Sequence, residues 1–204
     1  MTHTNTSAHQ HINASTHRLA IFASGSGTNA EEIFKYFSDH PTIKVAVLLS
    51  NNPEAYALVR AANYNVPTFL FDRKQFRETN DVANWLKEHG ITHLVLAGFL
   101  WLVPENLIRL FQGKIINIHP ALLPKFGGKG MYGMKVHEAV KQAGETETGI
   151  TIHKVNEHYD EGEILFKGIC PVKASDSPED IASNVHKLEY FWYPKVIEDW
   201  ILKQ

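Results

Sequence analysis

Short apolar runs alternate with stretches of helical periodicity through the first half of the chain, and this alternation constrains the fold more than any other feature. Four runs have the length and composition of buried strands, at residues 18–24, 43–49, 66–71 and 93–98. A fifth buried strand is expected in the segment that begins at residue 114. Strands that alternate with helices form parallel sheets with right-handed crossovers. We therefore expect an α/β fold: a single Rossmann-like domain with a mostly parallel sheet and helices on both faces.

Helical spacing of apolar residues predicts the elements that lie between and after these strands. Helices are expected at residues 30–38, 53–63, 75–89 and 134–143. Residues 149–155 alternate like a strand with one solvent-exposed face, and residues 163–172 are its expected partner strand. Ser177 and Pro178 have the residue types of a helix N-cap and first turn, and a long helix is expected to run to about Leu202. The late strands and this C-terminal helix are expected to extend the domain.

The composition fits one domain with a sizeable core, because 44% of the 204 residues are hydrophobic. Residues 1–17 are polar and without periodicity, so we expect a disordered extension there and the folded domain over residues 18–204. The single cysteine, Cys170, excludes an internal disulfide and a thiolate zinc cluster. The histidines of the extension have no visible partners that would fix a metal ion, and no metal site is expected.

The charge of the chain bears on its partners. A net charge of −2 offers no basic surface for nucleic acid or an anionic membrane. No apolar run approaches the ~20 residues needed to cross a bilayer, and no apolar core of a signal peptide is apparent. We therefore expect small-molecule substrates, no nucleic-acid or membrane partner, a cytoplasmic location, and a monomer or weak homodimer.

A glycine-rich turn, Gly25-Ser26-Gly27-Thr28-Asn29, joins the first predicted strand to the first predicted helix. Such a turn can hold a phosphate with backbone N–H groups and the helix dipole. The pattern also satisfies a loose dinucleotide fingerprint, which requires an acidic residue about 20 positions later. The second strand closes with Ser50-Asn51-Asn52 instead, so the dinucleotide interpretation weakens. A phosphate site and a purely structural turn both remain open.

The segment 114–125 carries the strongest candidate chemistry. Asn117 and His119 lie two positions apart near the end of a β-branched run, so both side chains project to one face of the expected strand. Pro120 ends regular pairing directly after them. An amide N–H can stabilise a developing oxyanion, and an imidazole can transfer a proton near neutral pH. A structural histidine at a strand end is the alternative.

Four features fall at the carboxyl ends of predicted parallel strands, where such sheets bind ligands. They are the glycine turn, the Ser-Asn-Asn corner, the apolar loop at residues 100–103, and the Asn117/His119 pair. The apolar loop is either core or the wall of a ligand pocket. Residues 126–133 contain four glycines together with Lys129 and Tyr132, and we expect a mobile loop over the same edge.

The string N-I-H-P-A-L-L-P-K at residues 117–125 resembles the signature of the folate-dependent formyltransferases. The resemblance extends from Arg18 to about Leu202. It is greatest to members that transfer the formyl group of 10-formyltetrahydrofolate to the amine of 5-phosphoribosylglycinamide in purine synthesis. It implies a catalytic triad of Asn117, His119 and Asp160, the last placed by its D-x-G context after the G-I-T-I-H strand. A nearby anion favours the charged form of a histidine, so Asp160 is expected to keep His119 cationic at pH 7.

The same resemblance implies the binding residues. For the phosphoribosylglycinamide they are Gly27, Thr28, Asn29, His186 and Glu189. For the folate they are Leu100, Trp101, Leu102, Val103, Asn117, Asn156, Glu157, His158, Tyr159 and Asp160. Trp101 departs from the basic residue that the resemblance leads us to expect there. Arg73 and Arg77 are candidates for contact with the folate tail, and the loop at residues 125–133 is longer than is usual in the family.

Other functions remain as alternatives. Family members that act on a transfer RNA or hydrolyse the folate carry additional domains, for which we expect no residues in this chain. A formyltransferase that acts on a sugar-nucleotide amine shares the triad and is the harder alternative to separate. A non-catalytic dinucleotide-binding module is the alternative from another class of protein.

Overall fold

The structure is a computed structural model that describes residues 16–204. The predicted disordered extension at residues 1–17 lies outside the described residues, apart from its last two positions. His17, one of these two, is already the first residue of a strand, and its N–H donates to the carbonyl oxygen of Thr42 at 2.7 Å. The folded region therefore begins slightly earlier than the sequence predicts.

Strands and helices alternate along the described residues. The strands are β1 (His17–Phe22), β2 (Ile43–Ser50), β3 (Thr68–Leu70), β4 (His93–Leu96), β5 (Ile115–His119), β6 (Glu147–Lys154) and β7 (Ile164–Pro171). The helices are α1 (Thr28–Phe37), α2 (Tyr56–Asn63), α3 (Arg73–Arg77), α4 (Asp81–Glu88), α5 (Glu105–Leu110), α6 (Met134–Gln142) and α7 (Pro178–Leu202). The predicted α/β class is confirmed.

The strands form one sheet in the order β3-β2-β1-β4-β5-β6-β7. Strands β1 to β5 pair in parallel, and the late strands β6 and β7 add an antiparallel extension. The two neighbours of β1 are β2 and β4, so the order reverses at β1. The carboxyl ends of β1 and β4 therefore border a topological switch point, where open α/β sheets bind ligands.

Helices cover both faces of this sheet. On one face Ile33 of α1 and Ile197 of α7 pack in a buried apolar cluster with strand residues such as Ile116. On the other face Leu86 of α4 and Leu107 of α5 belong to a second cluster. The continuous burial of the central strands follows from this double cover. Within residues 16–204, no helix combines the length and the hydropathy that crossing a membrane requires.

Two helix predictions differ from the structure. The helix predicted over residues 75–89 is split into α3 and α4, because Thr79 and Asn80 interrupt it: the Thr79 hydroxyl donates to the carbonyl oxygen of Gln75 and accepts from the N–H of Asp81, both at 3.3 Å. The helix predicted from residue 53 begins at Tyr56, since the residues before it form a turn closed by a 3.1 Å bond from the N–H of Ala55 to the carbonyl oxygen of Asn52.

The prediction that β6 has one solvent-exposed face is also wrong. Both faces of this strand are buried from Thr148 to His153. Helix α7 covers one face, and the chain that follows β5 covers the other: the buried Thr151 hydroxyl donates to the carbonyl oxygen of Ala121 at 2.7 Å and accepts from the N–H of Leu123 at 3.0 Å. An alternating pattern does not reveal cover that comes from a distant loop.

Candidate active site

A cavity of about 660 Å³ opens at the carboxyl ends of β1, β4 and β5. This volume lies within the range of small-molecule sites. Its walls are the glycine turn, the loop after β4, the end of β5, the glycine-rich loop before α6, the turn between β6 and β7, and one face of α7. The four features that the sequence predicts to meet at one edge do lie close together, and three of them line this cavity.

The glycine turn forms one end of the cavity and leads directly into α1. Gly27 has φ +72°, and a side chain added there would place Cβ only 2.5 Å from Cβ of Ala57. Its left-handed backbone and the close approach of α2 both require glycine. Thr28 and Asn29 follow as the first residues of α1, where helical N–H groups have no acceptor within the helix. The turn therefore presents a partial positive charge to the cavity.

Asn29 and Glu189 meet although they are far apart in the chain. Asn29 Nδ2 donates to Glu189 Oε2 at 3.1 Å, and His186 Nε2 lies 4.0 Å from the same oxygen. Burial raises the pKa of Glu189 to about 7, an effect that the bond from Asn29 opposes. Burial also lowers the pKa of His186. The predicted residues of the turn and of the last helix thus form one continuous wall.

Asn117 and His153 face each other across the antiparallel pairing of β5 and β6. His153 Nδ1 lies 2.8 Å from the carbonyl oxygen of Lys154. Because a carbonyl oxygen only accepts, Nδ1 carries the hydrogen of this bond. In the neutral ring the other nitrogen, Nε2, then accepts from Asn117 Nδ2 at 3.1 Å. The second N–H of the Asn117 amide remains for a ligand in the cavity that Asn117 lines.

His119 is buried between a backbone carbonyl and a carboxylate. Its Nε2 donates to the carbonyl oxygen of Phe126 at 2.7 Å, and its Nδ1 lies 3.5 Å from Asp160 Oδ2. Burial lowers the pKa of His119 below 6.5, and the charge of His153 adds to this effect, whereas Asp160 and the Phe126 carbonyl oppose it. The expectation that a neighbouring anion keeps this histidine cationic at pH 7 is therefore wrong, because the cost of burial is larger.

Asp160 completes the predicted triad from the turn between β6 and β7. Its backbone has φ +57°, an uncommon conformation that aspartate tolerates better than most residues. Its Oδ2 accepts from the N–H of Gly128 at 2.9 Å, and its Oδ1 lies 3.6 Å from His153 Nε2. Burial acts to raise the pKa of Asp160, but the two imidazoles and this N–H together hold it below its usual value. Asp160 is thus a carboxylate at neutral pH.

The loop after β4 supplies an apolar wall, and the four predicted residues Leu100, Trp101, Leu102 and Val103 all line the cavity. Trp101 also packs on the aromatic rings of Phe71 and Phe76, with ring centroids 6.1 and 5.8 Å away. The sequence leaves core and pocket wall as alternatives for this loop, and the structure shows that the loop contributes to both.

Some of the predicted folate-binding residues do not line the cavity. Asn156 and Glu157 do not line the cavity, whereas His158, Tyr159 and Asp160 do. Asn156 instead shapes the turn, since its Oδ1 accepts from the N–H of His158 at 2.9 Å. Neither candidate arginine lines the cavity, and Arg77 Nη2 lies 3.5 Å from the carbonyl oxygen of Leu102.

His137 and His153 line the cavity although the sequence did not single them out. His153 was detectable, because Gly149, Thr151 and His153 share one face of an alternating strand. His137 lies on the buried face of α6, and burial together with the charges of His186 and His119 lowers its pKa to about 4. Within residues 16–204, no three histidine, cysteine or acidic side chains are grouped so as to hold a metal ion.

A partly buried carboxamide, a buried imidazole and a partly buried carboxylate at the strand ends of an α/β sheet form the arrangement of an enzyme that stabilises negative charge on oxygen and moves a proton. Comparison with known protein families identifies the family within this class of enzymes. The chain belongs to the formyl transferase family, which matches it over residues 17–197.

Individual relatives agree with this assignment. A phosphoribosylglycinamide formyltransferase of Bacillus subtilis is 34% identical over 186 residues, which cover 89% of this chain and 93% of the relative. A chloroplastic phosphoribosylglycinamide formyltransferase of Vigna unguiculata is 42% identical over 188 residues, 89% of this chain. The chain spans only 60% of that relative's length, and 64% of a similar protein of Arabidopsis thaliana.

Solved structures show the same fold. The crystal structure of phosphoribosylglycinamide formyltransferase from Anaplasma phagocytophilum superimposes with a TM-score of 0.81 at 34% identity, covering 90% of this chain and 86% of that one. A structure of the enzyme of that name from Streptococcus pneumoniae has a TM-score of 0.80 at 31% identity, with 91% and 99% coverage.

Proposed function

We propose that this protein transfers the formyl group of 10-formyltetrahydrofolate to the amine of 5-phosphoribosylglycinamide, a reaction of de novo purine biosynthesis. The observation that carries the proposal is the contact of Asn117, His119 and Asp160 with one cavity in a chain of the formyl transferase family. The names of the relatives support the choice of amine substrate.

The glycine turn is the proposed site of the substrate phosphate. The N-terminus of α1 and the left-handed Gly27 give it the charge and the open backbone that an anion needs. Glu189 and His186 lie next to the turn and are proposed to hold the ribose and glycinamide groups. This arrangement directs the attacking amine towards the end of β5.

Asn117 is the proposed donor to the formyl oxygen. Attack of the amine on the formyl carbon forms a C–N bond and moves negative charge onto that oxygen. The N–H of Asn117 that is not bonded to His153 can donate to it. A donor of this kind typically contributes ~2.7–4 kcal/mol to the stabilisation of the transition state.

His119 and Asp160 are proposed to transfer the proton from the attacking amine to the leaving nitrogen of the folate. The amine loses a proton as it bonds to the formyl carbon, and the folate nitrogen gains one as its bond to that carbon breaks. Neutral His119 can accept the first proton at Nδ1, the ring nitrogen that faces Asp160. The carboxylate then stabilises the imidazolium until the proton passes to the leaving nitrogen, so no net proton is consumed.

The folate is proposed to lie along the wall at residues 100–103 and against the turn at residues 158–160. A flat aromatic ligand suits a wall that includes Trp101. Folate contacts of Asn156 and Glu157, which the resemblance implies, would require backbone contacts or movement of this turn.

The cytoplasmic location and the monomeric or weakly dimeric state stay predictions; two of the relatives are named as chloroplastic.

Turnover tests the proposal directly. Purified protein mixed with 10-formyltetrahydrofolate and 5-phosphoribosylglycinamide should release tetrahydrofolate, followed by absorbance, and should formylate the amine, followed by mass spectrometry. Sugar-nucleotide amines in place of the ribonucleotide separate the two formyltransferase alternatives. Absence of product with the ribonucleotide at saturating folate, or faster turnover of a sugar nucleotide, would contradict the proposed substrate.

A further inference from the structure

Helix α2 holds the glycine turn from the side away from the cavity. The N–H of Ala57 donates to the carbonyl oxygen of Gly25 at 3.1 Å, and Arg60 Nε donates to the carbonyl oxygen of Ser26 at 2.9 Å. Gly25, Ser26 and Gly27 line the cavity, whereas Ala57 and Arg60 do not. Two successive carbonyl groups of the turn are therefore anchored on one side, by one helix.

The direction of these carbonyls determines where the adjacent N–H groups point. In a trans peptide the C=O and the following N–H project in opposite directions. The bond from Arg60 to Ser26 therefore directs the N–H of Gly27 away from Arg60, and the bond from Ala57 to Gly25 acts in the same way on the N–H of Ser26. Successive N–H groups aimed into one concavity form an anion-binding nest.

Arg60 has two further contacts that hold its guanidinium in place. Its Nη1 forms an ion pair with Oε2 of Glu31, in the first turn of α1. The guanidinium carbon also lies 5.0 Å from the centre of the Tyr56 ring. The pairing offsets the negative charge of Glu31, which would otherwise oppose a phosphate bound at the N-terminus of α1.

We propose that Arg60 is a positioning residue for phosphate binding, which aims the N–H groups of the glycine turn at the phosphate without touching it. This inference rests on the proposed function, because it takes the turn to be the phosphate site. Loss of Arg60 should then weaken phosphate binding selectively, since the formyl-transfer residues lie at the end of β5 and in the turn between β6 and β7.

The test compares Arg60→Met, which keeps the length of the side chain, with Arg60→Lys, which keeps the charge and a donor. We expect Arg60→Met to raise the KM for the ribonucleotide by about tenfold or more, as is typical for loss of a charged hydrogen bond. The kcat and the KM for the folate should change less than twofold, and Arg60→Lys should recover part of the loss. Arg109→Met is the matched control, because Arg109 also pairs with a glutamate, here Glu105 of its own helix, but is exposed on α5.

A binding measurement separates this inference from the proposed reaction. Isothermal titration with ribose 5-phosphate should show a similar loss of affinity in Arg60→Met, whereas glycinamide riboside, which lacks the phosphate, should bind equally to both proteins. Equal losses for both ligands, or no loss, would overturn the role of Arg60 even if formyl transfer is observed. Selective loss of ribose 5-phosphate without turnover by the wild type would support Arg60 and contradict the reaction.

Discussion

Asn117 Nδ2 and His153 Nε2 are 3.1 Å apart, across the pairing of β5 with β6. This contact determines the orientation of the Asn117 carboxamide. When the His153 ring is neutral and donates from Nδ1 to a backbone carbonyl, its Nε2 is an acceptor, and the amide nitrogen rather than the amide oxygen faces it. Asn117 therefore has its N–H groups, and not its carbonyl, prepared for a developing oxyanion.

His153→Phe should lower kcat by roughly ten- to a hundredfold. This is less than the 10²–10³-fold loss of kcat that typically follows complete removal of an oxyanion donor. The reason is that the carboxamide of Asn117 loses the acceptor that orients it, while phenylalanine keeps the volume of the ring. The KM values for both substrates should change little. Steady-state kinetics of His153→Phe, Asn117→Ala and the double variant provide the measurement, and we expect the combined loss to be smaller than additive. Fully additive losses would show that the two residues act separately.

Asp160→Asn should lower kcat and move the acidic limb of its pH profile to lower pH. The Asp160 carboxylate raises the pKa of His119, against the lowering by burial, so its removal lets that pKa fall further. Neutral His119 then persists to lower pH, although the imidazolium formed during turnover has lost its stabilising partner. The asparagine oxygen can still accept from the N–H of Gly128. A pH–rate profile that overlays that of the wild type would remove Asp160 from the proposed mechanism.

Gly27→Val should raise the KM for the ribonucleotide and destabilise the protein, because the new Cβ would meet Ala57 at 2.5 Å in a backbone with φ +72°. Gly144→Ala is the control for backbone strain alone, since Gly144 has φ +65° but no neighbour within 4 Å of an added Cβ. The control should lose stability without a change in KM. An unchanged ribonucleotide KM in Gly27→Val together with weaker folate binding would reverse the assignment of the turn.

His93 should contribute to acid denaturation. It is buried at β4, with Nε2 3.3 Å from Gln204 Oε1, and burial lowers its pKa from 6.5 to about 4. The unfolded chain therefore binds the proton first, and stability is lost as the pH falls from 6.5 through 4. The loss is at most about 3 kcal/mol.

Urea unfolding of His93→Phe at pH 7 and pH 4.5 checks this contribution. The variant should lose less stability between the two values than the wild type does. His89→Gln, at an exposed position, should retain the wild-type dependence. Equal losses of stability in His93→Phe and the wild type would show that burial of His93 is not a source of acid sensitivity.

The parts of the fold that local patterns control were predictable. The parallel order followed from the alternation of strands and helices, and the start of α7 followed from Ser177, whose side chain accepts from the N–H of Asp180 in a capping box. The break between α3 and α4 was not predictable from apolar spacing, because a single threonine hydroxyl competes there with the helical hydrogen bonds.

The candidate site also has parts that could be predicted from local patterns and parts that could not. Asn117 and His119 were predictable as neighbours because they share a strand face. The partnership of His153 with Asn117 depends on the register between β5 and β6, which no local pattern contains. The pKa of His119 was predicted in the wrong direction for a related reason: the carboxylate was visible in the sequence, but the depth of burial was set by the whole fold.

The antiparallel hairpin of β6 and β7 has a consequence for the order in which the molecule is built. The proposed phosphate-binding groups of the glycine turn come from the first quarter of the chain, whereas His153 and Asp160 arrive only when this hairpin adds to β5. Domains emerge from the ribosome with their N-terminal parts first. A nascent chain would therefore gain the proposed phosphate site well before His153 and Asp160, whereas the proposed ribose and glycinamide contacts of α7 would come last.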